Sequence, residues 1–168
     1  MATRKERRSS VIVCGFVGIF LLFVPLAQAE QPFDITYCAA GALPFLYESR
    51  ELAIGGFQGT GIIRSNHENK IFDKTTLQFM LVFKVIDVSS GKYIANGYVK
   101  LMDPDGDIIV VEDSGGPDET WKFLHGTGKW KGITGEGKAI NITHGSKPIA
   151  PGTLQGCRRV TGTFELTK

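Results

Sequence analysis

The sequence predicts an all-β protein, an antiparallel and eight-stranded closed barrel that follows a cleaved signal peptide. Three observations predict it. Short runs of alternating apolar and polar residues recur along the chain, turn signals separate them at intervals of about ten residues, and no amphipathic helical pattern exceeds two turns. Glycines inside the strand-like runs favour a small barrel, where backbone must bend sharply or approach closely.

The leader comes first. Arg4, Lys5, Arg7 and Arg8 form a basic start, Val11 to Leu26 an apolar run, and Ala27-Gln28-Ala29 a small-residue cleavage site. Cleavage after Ala29 is expected, giving a signal peptide over 1–29 and one barrel domain over 30–168. Val11 to Ala29 is just long enough to anchor in a membrane, but Pro25 and the Ala-x-Ala ending favour removal. The implied destination is the periplasm or the exterior.

The elements then follow in order. Phe33, Ile35 and Tyr37 alternate with Asp34 and Thr36. Phe57 to Arg64 reads as a glycine-rich strand. Leu77, Phe79, Leu81, Phe83 and Val85 form the clearest period-two face. Tyr93 to Met102 follows the turn Ser89-Ser90-Gly91-Lys92. Asp107 to Glu112 follows Asp103-Pro104-Asp105-Gly106, a Pro-Asp-Gly hairpin turn. Thr120 to Leu124, Gly137 to Thr143 and Arg159 to Leu166 complete eight strands. Residues 44 to 54 carry no clear pattern. The loops Ser65 to Thr75 and His144 to Gln155 are expected to form the mouth or a lid.

Charge and composition exclude several functions. The chain has 19 basic and 17 acidic residues, and the leader holds four of the former and one of the latter, so the remainder carries a net −1. No basic run remains to meet nucleic acid. Two of the 21 glycines lie in the leader, so 19 are spread over the 139 residues from Glu30, well above the usual share of about 7%. The stretch Trp121 to Ala139 holds a Gly-Lys pair but does not make a phosphate loop. Phe123 stands where the first glycine would be, and Trp130 where the metal-binding hydroxyl would be. Neither a nucleotide nor any other cofactor is expected.

Cys38 and Cys157 remain after cleavage. In an oxidising compartment they are expected to bridge the terminal strands, closing a loop worth roughly 4–5 kcal/mol on the chain-entropy model. Two buried thiols are the alternative. Asp103, Asp105 and Asp107 supply hard oxygens, but their glycine falls two places too early for a calcium loop, so the reading is a turn, with weak calcium binding as the alternative. His67, His125 and His144 are isolated and lack zinc-ligand spacing. His125 shares strand parity with Trp121 and Phe123. If that face points inward, His125 stands at the end of a cavity as a candidate acid or base, alongside Glu136 and Asn141. Phe79, Phe83, Trp121, Phe123 and Phe164 are assigned to one sheet face. They either fill the barrel or line a ligand cavity.

Gly126-Thr127-Gly128-Lys129-Trp130 followed by Gly132-Ile133-Thr134-Gly135 resembles the glycine element of the allene oxide cyclase-like barrels, which dirigent proteins share. The Asp103–Asp107 hairpin, Trp121-x-Phe123 and Gly162-Thr163-Phe164 resemble an exported bacterial branch of that group. The resemblance implies an eight-stranded barrel with an apolar cavity, a small apolar ligand, and a homo-oligomer. It carries over no catalytic residue. The reading is therefore an exported barrel that binds a small apolar molecule. An isomerase or cyclase on a fatty-acid-like substrate is one alternative, and a filled, non-catalytic envelope or matrix protein is the other.

Overall fold

The computed structural model describes residues 29–87, 92–116, 119–143 and 148–167. The predicted leader up to Gln28, the Ser89–Gly91 turn and His144 lie outside them. The described residues form nine strands: β1 (Gln31–Ala42), β2 (Phe45–Glu48), β3 (Ala53–Ser65), β4 (Thr76–Asp87), β5 (Lys92–Met102), β6 (Ile108–Gly115), β7 (Glu119–Gly126), β8 (Ile133–Asn141) and β9 (Thr153–Leu166), with one 3-10 turn at Gly128–Trp130. Every pairing is antiparallel, and β1 pairs with both β9 and β3. That double pairing closes an eight-stranded barrel, with β2 as an extra strand on β3.

All eight predicted strands are present, and several boundaries differ: β1 runs on to Ala42 and β8 starts four residues early at Ile133, and three further differences shape the open end. Residues 44 to 54, which carried no pattern, form β2 and the start of β3. Pro44 has no amide hydrogen for a ladder, so β1 ends before it. The chain then resumes along β3, and Ser49 closes a tight turn with Leu52. The last strand starts at Thr153, six residues before its expected start, and pairs that whole stretch with β1. The sixth strand runs to Gly115, three residues past the predicted end.

Side chains alternate in and out as a pleated wall requires. Inward glycines make room for large neighbours. A Cβ on Gly59 would lie 2.6 Å from the Phe79 ring, and one on Gly137 would lie 2.8 Å from the Phe33 ring. One end of the barrel is solid. Phe72 enters from the loop after β3 and meets Phe33 (5.5 Å between ring centres), Trp130 (5.0 Å) and Phe164 (5.4 Å), with Phe123 at 5.7 Å. The Ser65–Thr75 segment is therefore a plug. Lys70, Phe72 and Lys74 take left-handed backbone angles there, at φ of 53°, 60° and 59°. Such angles strain non-glycine residues, and here the burial of Phe72 opposes that strain.

The aspartate hairpin braces the same end. Asp103 accepts bonds from Trp130 Nε1 (2.8 Å), from Lys129 Nζ (2.8 Å), and from the amides of Asp105 and Asp107. Asp107 accepts the Lys129 amide, and Asp105 binds Lys129 Nζ. Gly128, at φ 52°, passes so close to Asp107 that a side chain there would displace the Asp107 carboxylate. The three carboxylates are thus bound to protein donors, and among the described residues no group of three His, Cys, Asp or Glu side chains could hold a metal ion.

Cys38 and Cys157 stand opposite each other in the β1–β9 register, with Cα atoms 4.0 Å apart, and are joined in a disulfide. Among the described residues no helix is long and apolar enough to cross a membrane.

Candidate functional site

The other half of the barrel is hollow. A cavity of about 450 Å³ opens at the end where β1 and β4 finish and β5 and β9 begin. Its walls divide by chemistry. Phe57, Leu77, Phe79, Leu81, Phe83 and Val99 give an apolar side from β3, β4 and β5, while Leu43, Phe45, Val85 and Leu154 ring the mouth. Tyr37, Tyr93, Asp113, Asn141, Thr143 and Arg158 give a polar side, with Trp121 at its base. The size is typical of a small-molecule pocket, and so is the mix of apolar wall and few polar groups.

The polar side is one connected cluster. Arg158 Nη2 lies 3.1 Å from Glu119 Oε1, and Tyr93 donates its hydroxyl to the same oxygen at 2.5 Å. Arg158 also reaches the Tyr93 oxygen (3.4 Å) and donates Nε to Asn141 Oδ1 (3.0 Å). Asp113 and Trp121 face each other across β6 and β7 and are 2% and 1% exposed. Asp113 Oδ1, Glu119 Oε2 and Trp121 Nε1 have no hydrogen-bond partner among the described residues. Trp121 lies near enough to Asp113 to favour its ionised form, but their atoms miss hydrogen-bonding geometry. Tyr37 stacks on Trp121 with ring centres 5.3 Å apart.

Burial sets the protonation of this cluster. It pushes the Asp113 carboxyl up to about 6, against the pull of Arg158. It pushes the Tyr93 phenol up to about 12, aided by the Glu119 carboxylate, and raises Tyr37 as well. Burial alone would weaken the charge on Arg158, but Tyr37, Glu119, Tyr93 and Asp113 around it keep it protonated. The cluster thus holds a carboxyl that titrates near neutrality beside a fixed cation, a combination that can take or give a proton.

The sequence-derived residues are distributed as follows. Phe79, Phe83 and Trp121 line the cavity, whereas Phe123 and Phe164 belong to the solid end. Asn141 lines the mouth, although its side chain is largely exposed. His125 and Glu136 are exposed and do not line the cavity. For His125 the reason is a bulge. Val110 pairs with His125 and Val111 with Phe123, so Leu124 is an extra residue and the inward parity ends at Phe123.

Six residues of the polar side and the cluster behind it were not picked out from the sequence: Tyr37, Tyr93, Asp113, Glu119, Thr143 and Arg158. A signal existed for most of them. Asp113 continues the inward row Ile109, Val111, and Glu119 continues the row Trp121, Phe123, so each puts a carboxylate in a core position. Arg158 precedes Val160 in the inward row of β9, one residue before the start expected for that strand at Arg159.

No protein-family model matches the chain, and no curated protein does. Solved structures do match, among them two pterocarpan synthase dirigent proteins. One aligns with 98% of this chain and 100% of its own, at TM-score 0.52 and 10% identity. The second aligns with 84% of this chain and 98% of its own, at TM-score 0.51 and 7% identity. The barrel fold is therefore that of the dirigent proteins, a fold related to the allene oxide cyclase-like barrels.

Proposed function

We propose that this protein holds a small, largely apolar molecule in the open half of its barrel. The observation that carries this reading is the cavity itself, about 450 Å³ with aromatic and aliphatic walls on three strands and a buried polar cluster opposite them. Enclosure of hydrocarbon there would be favoured by roughly 25 cal/mol per Å² of apolar surface. The disulfide and the leader pattern support an exported, oxidising location.

A second reading has its own observation. Asp113 titrates near neutrality beside Arg158, as an acid–base group must. The structural neighbours are pterocarpan synthases, and an isomerase or cyclase role here would use Asp113 to move a proton on the bound molecule. Turnover is then a further step on the same site.

Titration with N-phenylnaphthylamine, a neutral apolar fluorophore, tests the binding reading. Saturable micromolar binding is expected, and Leu81→Trp, which fills the cavity, should abolish it. If the parent protein gives no saturable signal, or if Leu81→Trp binds equally well, the cavity is not the binding place. Native mass spectrometry followed by solvent extraction would identify any molecule that co-purifies.

A further inference from the structure

Tyr37 and Arg158 are directly opposed in the register of β1 and β9, and both line the cavity. The Tyr37 ring is buried and held in place by its stack on Trp121. Its hydroxyl lies within hydrogen-bonding reach of the Arg158 guanidinium, whereas Asp113 and Glu119 act on it through charge. A guanidinium donates and never accepts, so at that contact the Tyr37 oxygen accepts and its own hydrogen is left over. A donor without an acceptor is costly away from water. The sealed, unmet atoms of the cluster are Asp113 Oδ1, Glu119 Oε2 and Trp121 Nε1, which no ligand can reach, and the Tyr37 oxygen is not one of them. The neighbouring donors are already engaged. Tyr93 gives its hydrogen to Glu119, and Arg158 donates to Glu119, Tyr93 and Asn141.

We propose that the Tyr37 hydroxyl is the polar anchor of the cavity, and that the ligand is a neutral, largely apolar molecule bearing a carbonyl oxygen, as a ketone, aldehyde or ester does. This rests on the cavity-binding reading and names a ligand class for it. The ligand oxygen accepts the Tyr37 hydrogen, while the hydrocarbon lies against Phe57, Phe79 and Leu81 on the apolar side. A carbonyl suits a lone donor because it accepts and brings no hydrogen that would need an acceptor of its own. Burial keeps the phenol neutral, so the hydrogen is in place at physiological pH. Arg158, by donating to the same oxygen, strengthens the hydroxyl as a donor. Charge disfavours the anionic counterpart. Asp113 and Glu119 set two buried carboxylates against the single guanidinium of Arg158, and a ligand carboxylate would add a third.

Calorimetric titration of the purified protein with methyl naphthyl ketone, isopropenylnaphthalene and naphthoate tests the proposal. The first two share one shape and differ by a methylene in place of the oxygen. Tyr37→Phe keeps the ring and its stack, and should weaken the ketone about fivefold, the size of one hydrogen bond, while leaving the hydrocarbon unchanged. Naphthoate should bind weakest to the parent. The infrared carbonyl stretch of the ketone bound to the parent should fall below its value in an apolar solvent, a readout that needs no variant to fold. An unshifted stretch, or a ketone affinity untouched by Tyr37→Phe, would overturn the anchor while the cavity reading stands. Tightest binding of naphthoate would overturn the neutral ligand class. Failure of all three probes to bind the parent would remove the cavity reading together with the proposal.

Discussion

The two halves of the barrel are built from the same strands and differ within two to four residues. Along the inward row of β1, Phe33 and Ile35 give way to Tyr37; along β6, Ile109 and Val111 give way to Asp113. On β7, Phe123 and Trp121 give way to Glu119, and on β9, Phe164 and Val160 are followed back to Arg158. The first set belongs to the buried core in which Phe72 packs, with Trp121 at its edge also lining the cavity. Of the second set, Tyr37, Asp113 and Arg158 border the cavity, and Asp113 and Glu119 each leave a buried polar atom unmet. The wall is therefore one continuous scaffold with stability concentrated at one end and chemistry at the other, as expected where a site departs from the rules that stabilise a core.

The disulfide joins the two roles, so breaking it should have the largest effect. Cys38 and Cys157 are 119 residues apart, and closing such a loop is worth about 4–5 kcal/mol on the chain-entropy model. Their neighbours in sequence, Tyr37 and Arg158, project into the cavity. Replacing both cysteines by serine should therefore lower stability by about that amount and weaken probe binding as well. Urea unfolding and fluorophore titration on the same samples measure the two. Undiminished binding would mean that the wall holds the polar side without its bridge.

Truncation at the solid end should separate the two halves. Phe164→Ala removes a 1% exposed ring from the aromatic plug and should cost about 3–5 kcal/mol. Phe164 does not line the cavity, so fluorophore affinity should be unchanged under conditions where the variant stays folded. A matched loss of affinity would show that the halves are not independent.

How far the sequence led is visible in the same division. Period-two alternation located all eight barrel strands, because each buries one face and shows the other to solvent. The solid end was legible as aromatic residues, although Phe72 was not, since it reaches the core from a loop whose sequence has no periodicity. The paired cysteines were legible from their positions near the ends of the predicted domain. The polar side of the cavity was largely not, because burial is a property of closure. Asp113 sits just past a strand that looked complete at Glu112, and Arg158 just before one expected to start at Arg159. His125 was misplaced by a single extra residue, and bulges leave little trace in composition.

Asp113 gives the comparison a pH dependence. Its carboxyl titrates at about 6 in the folded protein against an ordinary 3.8. A raised folded value means that its contribution to stability is fully present below about 4, declines as pH rises towards 6, and is lost above that. Two pH units correspond to at most about 3 kcal/mol. Asp113→Asn should therefore be more stable than the parent by about 1–3 kcal/mol at neutral pH, with the gap closing towards pH 4. Urea unfolding at several pH values measures it. A less stable variant at neutrality would mean that attraction to Arg158 outweighs the burial of the charge.

The aspartate at the opposite end should respond to pH with the opposite sign, and its lysine should contribute the smallest effect. Burial alone would raise the Asp103 carboxyl, but its bonds from Lys129, Trp130 and two amides hold it below the usual value. Its contribution is thus complete above about pH 4 and is lost as pH falls further. Lys129 is the most replaceable of these partners. Its side chain is 47% exposed, so solvent screens its attraction, while Trp130 Nε1 and the amides of Asp105 and Asp107 still satisfy Asp103 without it. Lys129→Met should cost less than about 1 kcal/mol, and that loss should shrink further in high salt. A larger, salt-insensitive loss would mean that the ammonium group, rather than the indole and the amides, compensates the buried carboxylate. The bracing of the solid end would then depend on charge, as the cavity end does.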